Sequence, residues 1–393
     1  MFDRLTVVEL ASVLAGPAVG MFFAELGATV IKVENPAGGD VTRHWRLASE
    51  DDADDRSAYF TAVNWGKRSV AIDAATPEGY RRIRKLIAHA DIVICSFRHG
   101  AAQRLGLDYD TLSTDHPALI YGEISAYGPD DPRPGYDAIL QAASGFTWMN
   151  GPPDGPPTKM PVALIDVLAA HQLKEGLLVA LLRRQAGAGG SHVQVSLLDA
   201  GIAALANQAT NWLVAGQAPR RMGSDHPNIV PYGTVLQTRD GEVVLAVGND
   251  RQFRELCAVA GCPGLGDDPR FATNAARVCH REALLKHLAA ALADMPRADF
   301  LARCLERGIP AGPILDMPGV FAQPAARELL LDGGAGSPLR GVRSAVFRDG
   351  SGRERNDLSP PPQLNADEKW VRETFGTTKP QRSEGHQNRR PTE

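Results

Sequence analysis

The first 34 residues carry the sharpest hydrophobic patterning in the chain. Leu5–Leu10 is a short apolar run and predicts a strand, Ala11–Gly16 a loop, Pro17–Leu26 a helix with proline at its first position, and Thr29–Glu34 a second strand. Together they predict a βαβ unit. The alternation continues through an expected strand at Ser69–Asp73, a helix from Pro77 to about Ala90, and strands at Asp91–Cys95 and Ala118–Gly122, the order of a doubly wound α/β sheet. Between Pro129 and Pro161 proline, glycine and aspartate accumulate, which predicts a loop. An apolar, alanine-rich helix follows from Val167 to about Arg184, then a glycine turn at Gly187–Gly190, a strand at His192–Ser196 and a long helix to about Ala215.

Beyond Gly223 the pattern returns to β character, with Asp240 and Gly241 expected as the hairpin turn between Tyr232–Gln237 and Val243–Val247. Helices are expected near Arg251–Ala260, Arg281–Asp294 and Arg297–Arg307. The expected division is therefore a large α/β domain over 1–221, a smaller α+β domain over 222–318, and a C-terminal segment, 319–375, that returns to the large domain. The polar stretch 376–393 is expected to be a disordered tail.

Composition narrows the function classes. At 393 residues with 44% apolar and 22% charged side chains, the chain can bury a large core, and its net charge of −4 provides no basic footprint for nucleic acid or an anionic membrane. Cys95, Cys257, Cys262, Cys279 and Cys304 are odd in number and widely spaced, a pattern of buried reduced thiols and not of a disulfide framework or a zinc site. No charged-then-apolar leader opens the sequence. Arg4, Glu9, Glu25 and Lys32 interrupt the N-terminal apolar stretch before it reaches the roughly 18 residues of a membrane helix, so a soluble cytoplasmic protein is expected.

An acid closing the second strand, Glu34, stands where a dinucleotide-binding unit holds a ribose hydroxyl. The glycine pattern that embraces a pyrophosphate is missing, however, since only Gly16 and Gly20 punctuate the loop and first turn. A helix start can still receive an anion, and a nucleotide carrying phosphates at two positions would need cations; Arg43, Lys67, Arg68, Arg98 and Arg104 are available, each of which could equally be a solvated surface charge. Asp166 is a lone acid in the apolar run MPVALIDVLAAH over 160–171. It is expected either as the N-cap of the following helix or as a poorly hydrated carboxylate nucleophile kept ionised by the helix amides, and the two roles are compatible. His99 and His171 are candidate proton carriers with an equally good structural reading.

The motifs VVELASVLAGP (7–17), LGATVIKVE (26–34), GDVTR (39–43), NWGKRS (64–69), TPEG (76–79), Gly100 through Gly106, the Asp166 segment and GIPAGP (308–313) occur in an order that resembles the family III CoA-transferases. Formyl-CoA transferase, carnitine–CoA transferase and α-methylacyl-CoA racemase belong to that superfamily. The resemblance runs from about Leu5 to Pro362. It implies a Rossmann-like large domain plus a smaller α+β domain, two subunits interlocked as a homodimer, and Asp166 as the catalytic carboxylate, which passes through an acyl anhydride and an aspartyl-CoA thioester. It also implies coenzyme A as part of the acyl-CoA substrate, with no permanently bound cofactor and no metal. Val13 and Ala15 match the loop beside the nucleotide, Ile72 and Phe97 the adenine surroundings, and Arg104 a phosphate contact.

Departures from the family pattern refine this. Asn35 replaces an arginine, Pro134 a lysine and Leu14 a glutamine of formyl-CoA transferase or its relatives, and that enzyme's glycine-rich covering loop has no match, which argues against formyl or oxalyl transfer. Tyr136, expected among the CoA-site residues, stands where the racemase branch carries the histidine of a histidine–aspartate base, and a phenol is a poor base at neutral pH. The blocks 223–232 and 248–253 look most like members that use dicarboxylates such as succinyl-CoA. The expected function is CoA transfer from a small dicarboxylyl-CoA to a carboxylic acid; the alternatives are an acyl-CoA racemase or isomerase and a non-catalytic CoA-binding protein.

Overall fold

The structure is a computed structural model that describes residues 2–347 and 357–376. The polar tail expected from 376 lies, beyond Gly376, outside the described residues. Two compact units are formed. Of the described residues, the first comprises those up to Ser144, Pro161–Leu205 and those from Leu329 onward; the second comprises Gly145–Met160 and Ala206–Glu328. The second unit thus takes in a short excursion before the Asp166 helix and starts sixteen residues earlier than the expected 222, counting from Ala206.

The first unit is built on six parallel strands: β1 (Thr6–Leu10), β2 (Thr29–Glu34), β3 (Lys67–Ala71), β4 (Ile92–Cys95), β5 (Ile120–Ser125) and β6 (Ser191–Ser196), in the spatial order β3-β2-β1-β4-β5-β6. This is the doubly wound arrangement, with its switch point between β1 and β4. The continuous apolar character of β1, β2 and β4 follows from helices on both faces: Val7, Val8, Val30, Ile31, Val93 and Ile94 are fully or almost fully buried. Helix Leu164–Gln185 crosses from β5 to the parallel β6 and packs on helix Ala15–Glu25. A Cβ on Gly176 would stand 2.5 Å from a methyl of Val193, so this glycine permits the helix to close on β6.

Several boundaries differ from the periodicity. Helix Ala15–Glu25 starts two residues before Pro17, which sits inside the first turn, where its missing N–H is not needed. β3 takes in Lys67 and Arg68, drawn into the sheet by their register with Val30 and Ile31. The proline-rich stretch holds short helices at Asp137–Ala143 and Phe146–Met149. The long helix expected before Ala215 is two, Leu197–Ala203 and Ala206–Ala215, broken where Ala206 takes a φ of 46°. Of the cysteines, Cys95, Cys257 and Cys304 are buried free thiols, whereas Cys262 is half-buried and Cys279 is exposed.

Inside the first unit an ion network replaces apolar packing under the β1–helix junction. Lys32 Nζ lies 2.9 Å from Glu9 and 2.9 Å from Asp40, and donates to the carbonyl of Ala11 at 2.8 Å. Lys67 Nζ lies 2.7 Å from the other Glu9 oxygen and donates to Pro17 O and Asn64 Oδ1. Arg43 grips Glu34 with two bonds of 2.7 and 2.8 Å. All six side chains are buried. Helix Ala15–Glu25 passes so close over this network that a Cβ on Gly20 would stand 1.9 Å from a Glu9 oxygen.

The C-terminal segment returns to this unit. β10 (Leu330–Asp332) and β11 (Arg340–Val342), the last two strands of the described chain, pair antiparallel, and Leu331 and Leu339 pack with Met21 and Trp65. Asp367 accepts from Arg68 and from the Ser69 amide, and Val371 and Phe375 enter the core around Ile72 and Ile83. In the second unit β7 (Tyr232–Thr238), β8 (Gly241–Ala246) and β9 (Ala311–Pro313) form an antiparallel sheet covered by helices that include Asp250–Val259, Arg281–Leu292 and Arg297–Glu306. The hairpin turn falls on Arg239 and Asp240, one residue earlier than expected, because Thr238 pairs with Gly241.

Replacing Lys32 by methionine removes the cation shared by Glu9 and Asp40 and leaves buried carboxylates short of compensation. The expected cost is about 3–5 kcal/mol, measured as a drop in the urea midpoint with an unchanged slope.

Candidate active site

In a parallel sheet every strand ends at the same edge, and a crossover helix begins there. The loop Ala11–Leu14 follows β1, Ile72 follows β3, Phe97 follows β4, Tyr136 follows β5, and helix Leu164–Gln185, leading back to β6, starts at the same carboxyl edge. Topology thus brings Val13, Ala15, Ile72, Phe97, Tyr136 and Asp166 to one edge of the sheet, with Arg104 at the end of the short helix Ala101–Leu105 after β4.

The β1 loop is held in an unusual conformation. Val13 has a φ of 71°, a region disfavoured for a β-branched residue, and its amide donates to both Asp40 oxygens at 3.2 and 3.3 Å. Asp40 is itself ionised: burial works against its charge, but Lys32 beside it and the Thr42 amide and hydroxyl hold its pKa below the usual carboxylate range. The Ser12 amide donates to Ser96 Oγ, joining the loops after β1 and β4 across the switch point. Ile72 is buried and Phe97 half-buried in one hydrophobic cluster, while Val13 and Leu14 are half-buried, Ala15 is buried, and Tyr136 is 56% exposed.

The cations offered by the sequence divide into two groups. Arg43 and Lys67 are interior members of the ion network, and Arg68 pairs with Asp367 and lies over the Trp370 ring at 3.8 Å, so none of these three is a free phosphate ligand. Arg98 and Arg104 are exposed. Glu34 is likewise committed, since Arg43, the Ser69 hydroxyl and the Asp40 amide occupy its oxygens, which removes the ribose role its position suggests.

Asp166 is buried, with 7% exposure, as the third residue of helix Leu164–Gln185. It is not the N-cap. Ala163 holds that position without a side-chain bond, and the first-turn amide of Ile165 donates at 2.8 Å to Asp137, from the helix Asp137–Ala143. Asp137 also accepts from Gln141 Nε2 at 2.7 Å, and Gln141 donates in addition to Val162 O. The cap therefore comes from a separate helix, and Asp166 is released from that duty. Burial first, and the neighbouring Asp137 charge second, raise the Asp166 carboxyl to about 7. This departs from the expectation that helix amides keep it fully ionised: desolvation and a like charge outweigh them.

Tyr59 completes the picture. Its phenol is pushed up by burial and then by the charges of Asp166, Asp137 and Asp40, so one side chain senses the acid of the candidate nucleophile, its capping neighbour and the residue gripping the β1 loop. His171, five residues past Asp166, points about 140° away around the helix and is exposed, as is His99. Neither is brought to Asp166. Sequence reasoning passed over Asp137, Gln141 and Tyr59; the i,i+4 spacing of Asp137 and Gln141 was the one legible signal.

The sequence pattern of CoA-transferase family III matches residues 2–368. This chain belongs to that family. It is 42% identical, over 87% of its length and 88% of the relative's, to a succinate–glutarate CoA-transferase of Agrobacterium fabrum. It is 37% identical to an acetyl-CoA:oxalate CoA-transferase of Acetobacter aceti over 88% of this chain and 90% of that one. The crystal structure of a CAIB/BAIF family protein from Brucella suis superposes with a TM-score of 0.82 at 39% identity, covering 95% of this chain and 99% of the other. The chain is accordingly a CoA-transferase enzyme of mixed α/β fold whose family works on CoA thioesters. Among the described residues no helix is long and apolar enough to cross a membrane, and no group of three or more His, Cys, Asp or Glu could hold a metal.

The raised pKa of Asp166 has a stability consequence. An acid whose folded pKa lies above its ordinary 3.8 loses stability as pH rises from about 4 to about 7, after which the loss is complete. Asp166→Asn abolishes it. The variant should melt about 2–5 °C above the parent at pH 8, with the gain shrinking toward zero near pH 4; thermal scans across that range check both sign and window.

Proposed function

We propose that this enzyme moves CoA from a small dicarboxylyl-CoA, of the succinyl-CoA type, to a second carboxylic acid, with Asp166 as the nucleophile. The observation that carries the mechanism is the buried Asp166 carboxylate at the start of helix Leu164–Gln185, desolvated and pressed by Asp137. Poor hydration strengthens a carboxylate nucleophile, and exclusion of water protects an activated acyl group. The substrate class is supported by the activity of the Agrobacterium fabrum relative, a succinate–glutarate CoA-transferase.

Each step conserves acyl activation. An Asp166 oxygen attacks the thioester carbonyl; the C–S bond breaks, releasing CoA thiolate and leaving a mixed anhydride. The thiolate attacks the Asp166 carbonyl carbon of that anhydride, giving an aspartyl-CoA thioester and the donor carboxylate. The acceptor carboxylate then attacks the thioester, forming a new anhydride and thiolate, and the thiolate takes the acceptor acyl group, restoring Asp166. No metal or redox group takes part, and the only cofactor is the CoA of the substrate. Val13 and Ala15 would flank the nucleotide, Ile72 and Phe97 the adenine and Arg104 a phosphate, with Tyr136 among the CoA-site residues. The exposed Trp212, Leu213 and Val214 of helix Ala206–Ala215 suit burial against a second copy, in line with an interlocked homodimer. We assign the enzyme to the cytoplasm.

Hydroxylamine added with the donor acyl-CoA should convert Asp166 to a hydroxamate, visible by peptide mass spectrometry, and no adduct should form without acyl-CoA. Asp166→Ala should lower turnover about 10³-fold or more; a variant that retains transfer overturns the mechanism. Because attack needs the carboxylate, kcat/KM of the parent should fall on the acid side of pH about 7. Asp137→Asn, which removes the neighbouring negative charge, should move that limb to lower pH.

A further inference from the structure

Asp40, in the turn after β2, makes a contact that the reaction above does not use. It follows two glycines of positive φ, Gly38 at 111° and Gly39 at 73°, and a Cβ on Gly39 would stand 2.8 Å from a Glu34 oxygen and 2.9 Å from Arg43. Only glycine lets the turn press this close, and Asp40 is thereby buried against the loop that follows β1. Its Oδ1 accepts from the Thr42 amide at 3.0 Å and the Thr42 hydroxyl at 2.8 Å, and its Oδ2 lies 2.9 Å from Lys32 Nζ. Both oxygens also receive the Val13 amide, at 3.3 and 3.2 Å.

The bond to Val13 is the unusual one. At a φ of 71° a β-branched side chain crowds its own backbone, and such a residue persists only where its surroundings over-determine it. The charge balance does not call for this bond, since Lys32 already pairs with both Asp40 and Glu9. What the bond does is turn one peptide of the loop between β1 and helix Ala15–Glu25. Released from Asp40, the valine would fall back to negative φ and the loop would change shape.

We propose that Asp40 is a positioning residue for acyl-CoA: by holding the Val13 amide, it keeps the β1 loop in the backbone conformation that receives the nucleotide. The inference rests on the reading that Val13 and Ala15 flank the nucleotide. A loop that reaches its binding shape only part of the time binds more weakly by that fraction, so releasing Val13 weakens CoA without removing a ligand contact. Asp40→Asn releases it, because whichever way the new side chain turns, its NH2 meets a donor among Val13, Thr42 and Lys32. Val13→Gly makes the positive φ acceptable with or without the grip.

The test is a double-mutant cycle read by calorimetric titration of the full-length protein with free CoA. Asp40→Asn should weaken CoA about tenfold in the parent background and by less than about twofold in the Val13→Gly background. In the parent background the loss should fall on KM for the acyl-CoA more than on kcat. A merely structural Asp40 would weaken CoA equally in both backgrounds, and that outcome, or no weakening in either, overturns the proposal. Should Asp40→Asn fail to fold, Val13→Pro decides: it leaves the ion network whole but removes the N–H and fixes φ near −65°. It should weaken CoA at least about tenfold, and CoA binding like that of the parent overturns the proposal. Val13→Trp, which crowds the loop, separates the two readings. CoA bound as tightly by that variant as by the parent lies elsewhere and overturns both, whereas loss of CoA binding together with equal Asp40→Asn effects in the two backgrounds overturns the positioning role alone.

Discussion

The junction of β1, β2 and the first helix is held by a salt network in a place where an α/β fold usually has aliphatic side chains. Glu9, Lys32, Asp40 and Lys67 share charge at distances of 2.7–2.9 Å, and Glu34 with Arg43 forms an adjoining bidentate pair. Such groups are tolerable only when nearly every lone pair and proton is matched. Burial works against the charge of Lys32, yet the surrounding carboxylates hold its pKa above the ordinary lysine range, while burial brings Lys67 down to about 8 despite Glu9. The network thereby fixes the direction in which the chain leaves β1. Lys32 holds Ala11 O, Lys67 holds Pro17 O, and Asp40 holds the Val13 amide, so three points of one loop are tied to interior charges.

That constraint shapes the site. The loop keeps a positive φ at Val13, a conformation that its own sequence does not favour, because ionised Asp40 pulls the amide inward. The same commitment removes Arg43 and Lys67 from any role toward an anionic ligand and leaves the solvent-facing Arg98 and Arg104 at the sheet edge. A basic residue in a sequence motif can thus mark a structural network and not the ligand it is near.

Asp166 rests on a second balance. A helix start favours negative charge, whereas burial and a nearby carboxylate oppose it, and the opposing pair wins by enough to bring the group to about 7. The arrangement depends on Asp137 supplying the cap to Ile165 from another helix. Had Asp166 capped its own helix, its oxygens would have been engaged by backbone amides and its basicity lowered.

The doubly wound sheet, the places of its strands along the chain and the longer helices between them were legible in the sequence because apolar runs four to six residues long and glycine or proline breaks reflect local backbone preference and burial, both of which a linear pattern carries. Asp166 was legible for a related reason: a lone acid in an apolar run is conspicuous. The motif order was also enough to indicate the family. Charged pairings were not legible, since Glu34 is separated from Arg43 by a turn, Glu9 from Lys67 by four intervening elements and Arg68 from Asp367 by most of the chain. Nor were the cap from Asp137 or the break at Ala206. These depend on which side chains three-dimensional packing sets within 3 Å of each other and on how much water it removes, and electrostatic energy varies with both. Periodicity determines which faces are buried; only the tertiary structure decides which charges are buried together.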